Sequence, residues 1–322
     1  MKSVVLVTAI GTMASTTIIS KLKETNEYYI IGADIFPRNE VATAKDVNEF
    51  YSFPSAIENF KGFVCFVLDF CKKKKVNFYF PTIDEEVVNL SNHRDLFYEI
   101  GVRLCIPNYD LVECCHYKDR FVSYIHKEFP ELYIKTFDRL ENIPEEEFPI
   151  YIKPVEGRAS NDCRRFDSKR MAEEFITGTG YKPNAYVIQK YTEGTIFTVD
   201  LIRNSATGQK EQVQRKELLR NGNGCGIAVE IVNDEILKSI CNDLMLSLNL
   251  HGVVNAEFFL TNMGYKIIEI NPRFSAGCGF TCMAGCNLVL NALMIADSKI
   301  CDFGKITYGK HYAKRYEIYQ LD

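Results

Sequence analysis

IIEINPRFSAG, residues 267–277, decides how the chain is read. Two isoleucines lead into Glu269, and Ile270 then separates it from Asn271, Pro272 and Arg273. Alternate side chains of an extended chain share a face. Alternation therefore puts Glu269, Asn271 and Arg273 on one side and sends Ile268 and Ile270 toward the core. A second acid, Glu257, stands at the equivalent place in VVNAEFF (253–259), and TNMG (261–264) separates the two runs as a hairpin turn would. Pairing these strands brings Glu257 and Glu269 to one cleft with Asn271 beside them. Three hard oxygen donors suit one or two magnesium ions, or the similar manganese ion, shared with triphosphate oxygens. Arg273 is then within reach of a transferred phosphate or a substrate carboxylate. A solvated edge hairpin is the plainer alternative. A glycosidase-type acid pair is another, but it leaves Asn271, Arg273 and the upstream basic groups without a task.

Working outward, PIYIKP (149–154) is a strand ending in Lys153, followed by the small-residue loop VEGRAS (155–160). An ammonium there can neutralise phosphate charge while the backbone donors of the loop fold over the phosphates. Lys118, in YKDRF (117–121), is a second phosphate candidate at a helix start, and Phe121, Ile125 and Phe129 share one face of that helix. AYVIQKY (185–191) ends in Gln189, Lys190 and Tyr191, placed to recognise a base through backbone and side-chain groups. Arg215, Lys216 and Arg220 in QRKELLR (214–220) flank the Gly-rich NGNGCG (221–226); Arg215 is the preferred holder of an acceptor carboxylate or acylphosphate.

The amino-terminal third has its own pattern. VVLVTAI (4–10), GTMAST (11–16) and YYIIGAD (28–34) alternate strand, turn, helix and strand, with Gly11 in the turn and Asp34 closing the second strand. The full GxGxxG fingerprint is absent, so a dinucleotide site has little support. Lys72–Lys75 close a helix and read as a solvated helix end. The expected units are an α/β domain over 1–115 and a mixed α+β domain over 116–322, with a lid at about 120–190.

Composition limits the function classes. The 322 residues are 47% hydrophobic and 25% charged with net charge −4, which gives no general case for nucleic-acid binding. No run approaches eighteen consecutive apolar residues, so no membrane association is expected. The 12 cysteines are scattered, and Cys278, Cys282 and Cys286 lack a complete ligand set; buried thiols in a reducing cytoplasm are expected. A homo-oligomer is compatible with the sequence.

Taken together, Lys118 in YKDRF, YIKPVEGRAS, VIQKYTEGTIFTVD (187–200), VVNAEFF and IIEINPRFSAG resemble the ATP-grasp superfamily, particularly short ligases similar to one half of the carbamoyl-phosphate synthase large subunit. The resemblance implies an ATP-grasp fold preceded by a Rossmann-like domain. It implies ATP and magnesium as cofactors, phosphate contacts from Lys118, Lys153 and the loop around Gly157 to Ser160, and adenine contacts from Gln189, Lys190, Tyr191 and Thr192. It also implies magnesium ligands Glu257, Glu269 and Asn271, with Arg273 on the transferred phosphate. The implied reaction is ADP-forming ligation of a small carboxylate to an amine through an acylphosphate, sheltered from water by the lid. A small-molecule kinase and a nucleotide sensor without turnover are the alternatives. One departure is plain: where relatives place a ribose-binding glutamate, GTIFTVD has Ile196, and Glu193 is the nearest acid able to replace it.

Overall fold

The computed structural model describes residues 2–157, 162–180, 182 and 185–321. Among these, the first sheet is parallel and is built from β1 (Ser3–Thr8), β2 (Tyr28–Asp34), β3 (Glu49–Ser52), β4 (Phe78–Phe80) and β5 (Arg103–Leu104), in the order β3-β2-β1-β4-β5. β1 is central because both its faces are apolar. Val5 and Val7 enter one core with Ile18, Ile19 and Leu22, while Leu6 enters another with Val67 and Tyr79. The helix Met13–Thr25 starts where the Thr12 hydroxyl accepts from the Ser15 amide and stops at Asn26 in the left-handed region. Asp34 is buried and accepts from the amides of Gly11 (2.9 Å) and Phe36 (3.2 Å), a turn-fixing role.

The helix Phe60–Lys74 ends in the lysine run, with Lys72, Lys73 and Lys75 exposed as a helix C-terminus favours, and Lys74 paired to Glu49 at 2.6 Å. The chain after β5 forms a helix, Tyr109–His116, which abuts the helix Lys118–Glu128 at Tyr117.

A small antiparallel sheet follows: β6 (Thr136–Phe137), β7 (Ile150–Pro154), β8 (Arg164–Phe166) and β9 (Tyr186–Lys190), ordered β6-β9-β7-β8 and backed by the helix Lys169–Thr179. The largest sheet comprises β10 (Thr195–Arg203), β11 (Lys210–Arg220), β12 (Gly226–Val232), β13 (Gly252–Thr261), β14 (Gly264–Asn271) and β15 (His311–Ala313), ordered β14-β13-β10-β11-β12-β15. One face packs on the helices Lys118–Glu128 and Glu235–Ser247 through Phe197, Val199, Ala256, Phe258 and Ile270. The other face carries polar groups at one end and, through Ile202, Val213 and Val253, joins the first domain's core. Gly194 lets β10 begin against β13, since a Cβ there would lie 2.6 Å from the Leu260 carbonyl oxygen.

QRKELLR, whose Arg215 is the expected holder of an acceptor carboxylate, belongs to β11 with Arg215 in mid-strand. Gly279 lies inside the short helix Cys278–Met283, and Cys278, Cys282 and Cys286 are free thiols packed in the first core. No helix among the described residues is long and apolar enough to cross a membrane.

Candidate active site

β13 and β14 pair antiparallel with Glu257 directly opposite Glu269 and Asn255 opposite Asn271. Strict alternation cannot produce this, because Tyr265 and Ile267 face the helical core and a period of two would carry Glu269 in after them. An irregularity resolves the conflict. Phe258 pairs with Ile267 and Glu257 with Glu269, so Ile268 is the extra residue of a β-bulge. Ile270 is core, as alternation predicted; Ile268 is not, and its carbonyl instead accepts from the Lys153 ammonium at 3.3 Å.

The acids are poorly neutralised. Glu257 accepts from Arg220 Nη2 at 2.7 Å, and Glu269 accepts from the Asn271 amide at 3.0 Å. Burial, then the facing Glu269 carboxylate, push the Glu257 carboxyl up to about 7 against the pull of Arg220. Lys153 is buried, which lowers its ammonium to about 8 despite the attraction of Glu269. Arg273 joins the site to the first domain: its Nε donates to Asp84 Oδ2 at 2.9 Å and its Nη2 to Asn271 Oδ1 at 3.3 Å. Burial alone would lower this guanidinium's pKa, and Asp84 more than offsets it.

The remaining candidates have the following partners. Lys118 donates to the Gly157 carbonyl at 3.1 Å, so the two lie together at the loop entrance; Ser160 falls outside the described residues. Gln189 is buried and donates to Thr136 at 3.2 Å, and Lys190 donates to the Glu147 carbonyl at 2.7 Å. Tyr191 lies under the Arg165 guanidinium at 4.5 Å, Thr192 donates to the Lys190 carbonyl at 3.2 Å, and Glu193 is exposed with Arg165 at 3.6 Å. Ile196 pairs with Phe259 across β10 and β13.

Arg215 sits apart from solvent, 1% exposed, and ion-pairs with Asp200. It also donates to Thr281 at 2.6 Å, Thr198 at 3.2 Å and Ser275 at 3.3 Å. Burial opposes its charge and Asp200 more than restores it. Its donors are thus engaged within the protein, and the guanidinium ties β10 and β11 to the loop after β14. Arg215→Ala would leave Asp200 buried and uncompensated, so a loss of about 3–5 kcal/mol of stability in denaturant melts is expected.

Sequence reading missed Asp84 and Arg220 as partners. Asp84 begins the helix Asp84–Ser91, far from Arg273 in the chain, and only the tertiary fold joins them. Arg220 follows register shifts in β11 that sequence periodicity does not show. Lys216 pairs across the sheet with Glu230.

A Rossmann-like domain, a small antiparallel sheet and a larger sheet carrying a facing acid pair together define the ATP-grasp arrangement. Residues 182–313 match a family model described as ATP-grasp in the biosynthetic pathway with Ter operon, and residues 5–105 match the PylC-like N-terminal domain. The chain therefore has an ATP-grasp-like fold, with residues 182–313 matching an ATP-grasp family. Among solved structures it resembles the biotin carboxylase of Campylobacter jejuni in a β,γ-ATP complex (TM-score 0.74, 14% identity, 95% of this chain and 74% of that one). It also resembles the biotin carboxylase domain of Hydrogenobacter thermophilus 2-oxoglutarate carboxylase, with MgADP, ADP and bicarbonate (0.72, 14%, 95% and 73%). The L-amino acid ligase of Bacillus licheniformis is similar too (0.69, 13%, 92% and 74%). At these identities the likeness is one of fold.

Proposed function

We propose that the protein is an ADP-forming carboxylate-amine ligase using ATP and magnesium, in the manner of a carbamoyl-phosphate synthase half. The observation that carries this reading is the convergence of Glu257, Glu269, Asn271, Lys153 and Arg273 around one strand pair. Two carboxylates facing each other, only one of them directly ion-paired, form a hard oxygen set, which fits a divalent cation. Among the described residues no group of three or more His, Cys, Asp or Glu is placed to hold a metal; under this reading the third donor would be the Asn271 amide oxygen, which accepts from Arg273. The bound cation would screen phosphate charge, and ATP would supply the phosphoryl group.

The chain's own groups have distinct tasks. Lys153 and Lys118 neutralise phosphate oxygens, the loop after β7 supplies backbone donors, and the segment Gln189–Glu193 receives adenine and ribose. Arg273, held by Asp84 and Asn271, faces the transferred group. A substrate carboxylate oxygen bonds to the terminal phosphorus as ADP leaves; the amine nitrogen then bonds to the acyl carbon as phosphate leaves, and its proton passes to phosphate or water. Carboxylates supplied with and without amines, with ADP, phosphate and product measured, test this. Amide formation matched one-to-one by ADP and phosphate is expected; a stable phosphorylated product with no amine requirement would identify a kinase.

A further inference from the structure

A cavity of about 360 Å³ opens between the first domain and the large sheet, lined by Arg94, Tyr98, Arg103, Asn108, Ser205 and His251 among others. Its volume lies within the range of small-ligand sites. It sits near the start of β13, whereas Glu257 is five residues further along the strand, on the order of 17 Å away. The cavity is therefore separate from the carboxylate pair.

Its charge is unbalanced. The Arg94 guanidinium is held by backbone carbonyls of Leu104 (3.4 Å), Ile106 (2.9 Å) and Pro107 (2.6 Å), and among the described residues no carboxylate ion-pairs with it. Arg103 lies 4.2 Å from the Tyr98 ring centroid; its nearest carboxylate, Asp297, is 3.9 Å away and is shared with Lys299 at 2.8 Å. Arg103 Nη1 is buried without a hydrogen-bond partner, as is Nε of Arg203, whose Nη1 holds Asn249 at 3.2 Å in the cavity wall. Of these groups Arg94 is the one desolvated without a counter-charge, which is costly, and an anion in this space offsets that cost. His251 accepts or donates at Nδ1 with Ser205 at 2.9 Å, and burial, then Arg94 and Arg203, hold its pKa below the ordinary value. The walls belong to both domains, and the seam is tight: Gly252, at φ +127°, would place a Cβ 3.1 Å from the Pro107 Cα.

We propose that this cavity is a second binding site for a small ligand bearing an oxyanion, phosphate or carboxylate, with Arg94 and Arg103 facing the anion and Val102, Leu104 and Ala296 meeting an apolar part. The inference does not depend on the proposed ligase activity. Calorimetric titration and thermal unfolding of the full chain with inorganic phosphate and with benzoate, against sodium chloride at equal ionic strength, test it. Saturable binding is expected to survive in Lys153→Gln, which separates it from the phosphate-binding candidates of the other site. It should weaken by about tenfold in Arg103→Gln, the loss of one charge-assisted hydrogen bond, and equally in Ala296→Phe, which fills the cavity. Tighter benzoate assigns an apolar carboxylate, and tighter phosphate a phosphoryl group. No stabilisation beyond that of chloride would overturn the proposal, as would binding lost in Lys153→Gln but unchanged in both cavity variants.

Discussion

Glu269→Gln is expected to reduce magnesium-dependent ATP turnover by about a thousandfold or more, the several kcal/mol of charge stabilisation that a correctly held cation supplies. The amide preserves size, so the hairpin should remain, and the charge facing Glu257 is removed together with some attraction for Lys153. Like charges directly opposite on a strand pair are destabilising. The variant should consequently melt at or slightly above the wild-type temperature. Loss of turnover with an intact melt assigns Glu269 to the chemistry; undiminished turnover would exclude it from metal binding.

Lys153→Met is expected to abolish turnover and raise stability together. The ammonium is 5% exposed and donates to one neutral carbonyl, and its pKa falls from 10.5 to about 8. A folded pKa below the unfolded one means that the native state binds fewer protons between those values. The charge therefore destabilises fully below about 8, and the penalty disappears as pH rises toward 10.5. A shift of 10.5 − 8 = 2.5 corresponds to about 3 kcal/mol, an upper figure for the gain at pH 7. Denaturant melts of both proteins at pH 7 and pH 10 check this. A difference that does not shrink at the higher pH would remove the electrostatic explanation and leave only packing.

The two sheets at the ends of the chain were legible because their apolar runs are long and their turns explicit. VVLVTAI and YYIIGAD form the parallel core pair, and VVNAEFF with YKIIEIN forms the hairpin that places Glu257 opposite Glu269. The polar partners were harder to see. Arg215 reads as a holder of an acceptor carboxylate ahead of the Gly-rich loop, yet β11 buries it against Asp200. Ile268 looked like a core residue because period two has no means of marking an inserted residue. Asp84 and Arg273 meet only because β4 and the end of β14 converge between domains, which no local pattern encodes.

The inserted Ile268 has a consequence for the small sheet. By freeing one carbonyl at the edge of the large sheet, it gives the β7 lysine an acceptor there. One ammonium thereby spans the small sheet and the bulged edge strand of the large one, and under the proposed function a phosphate oxygen would compete with that carbonyl for it.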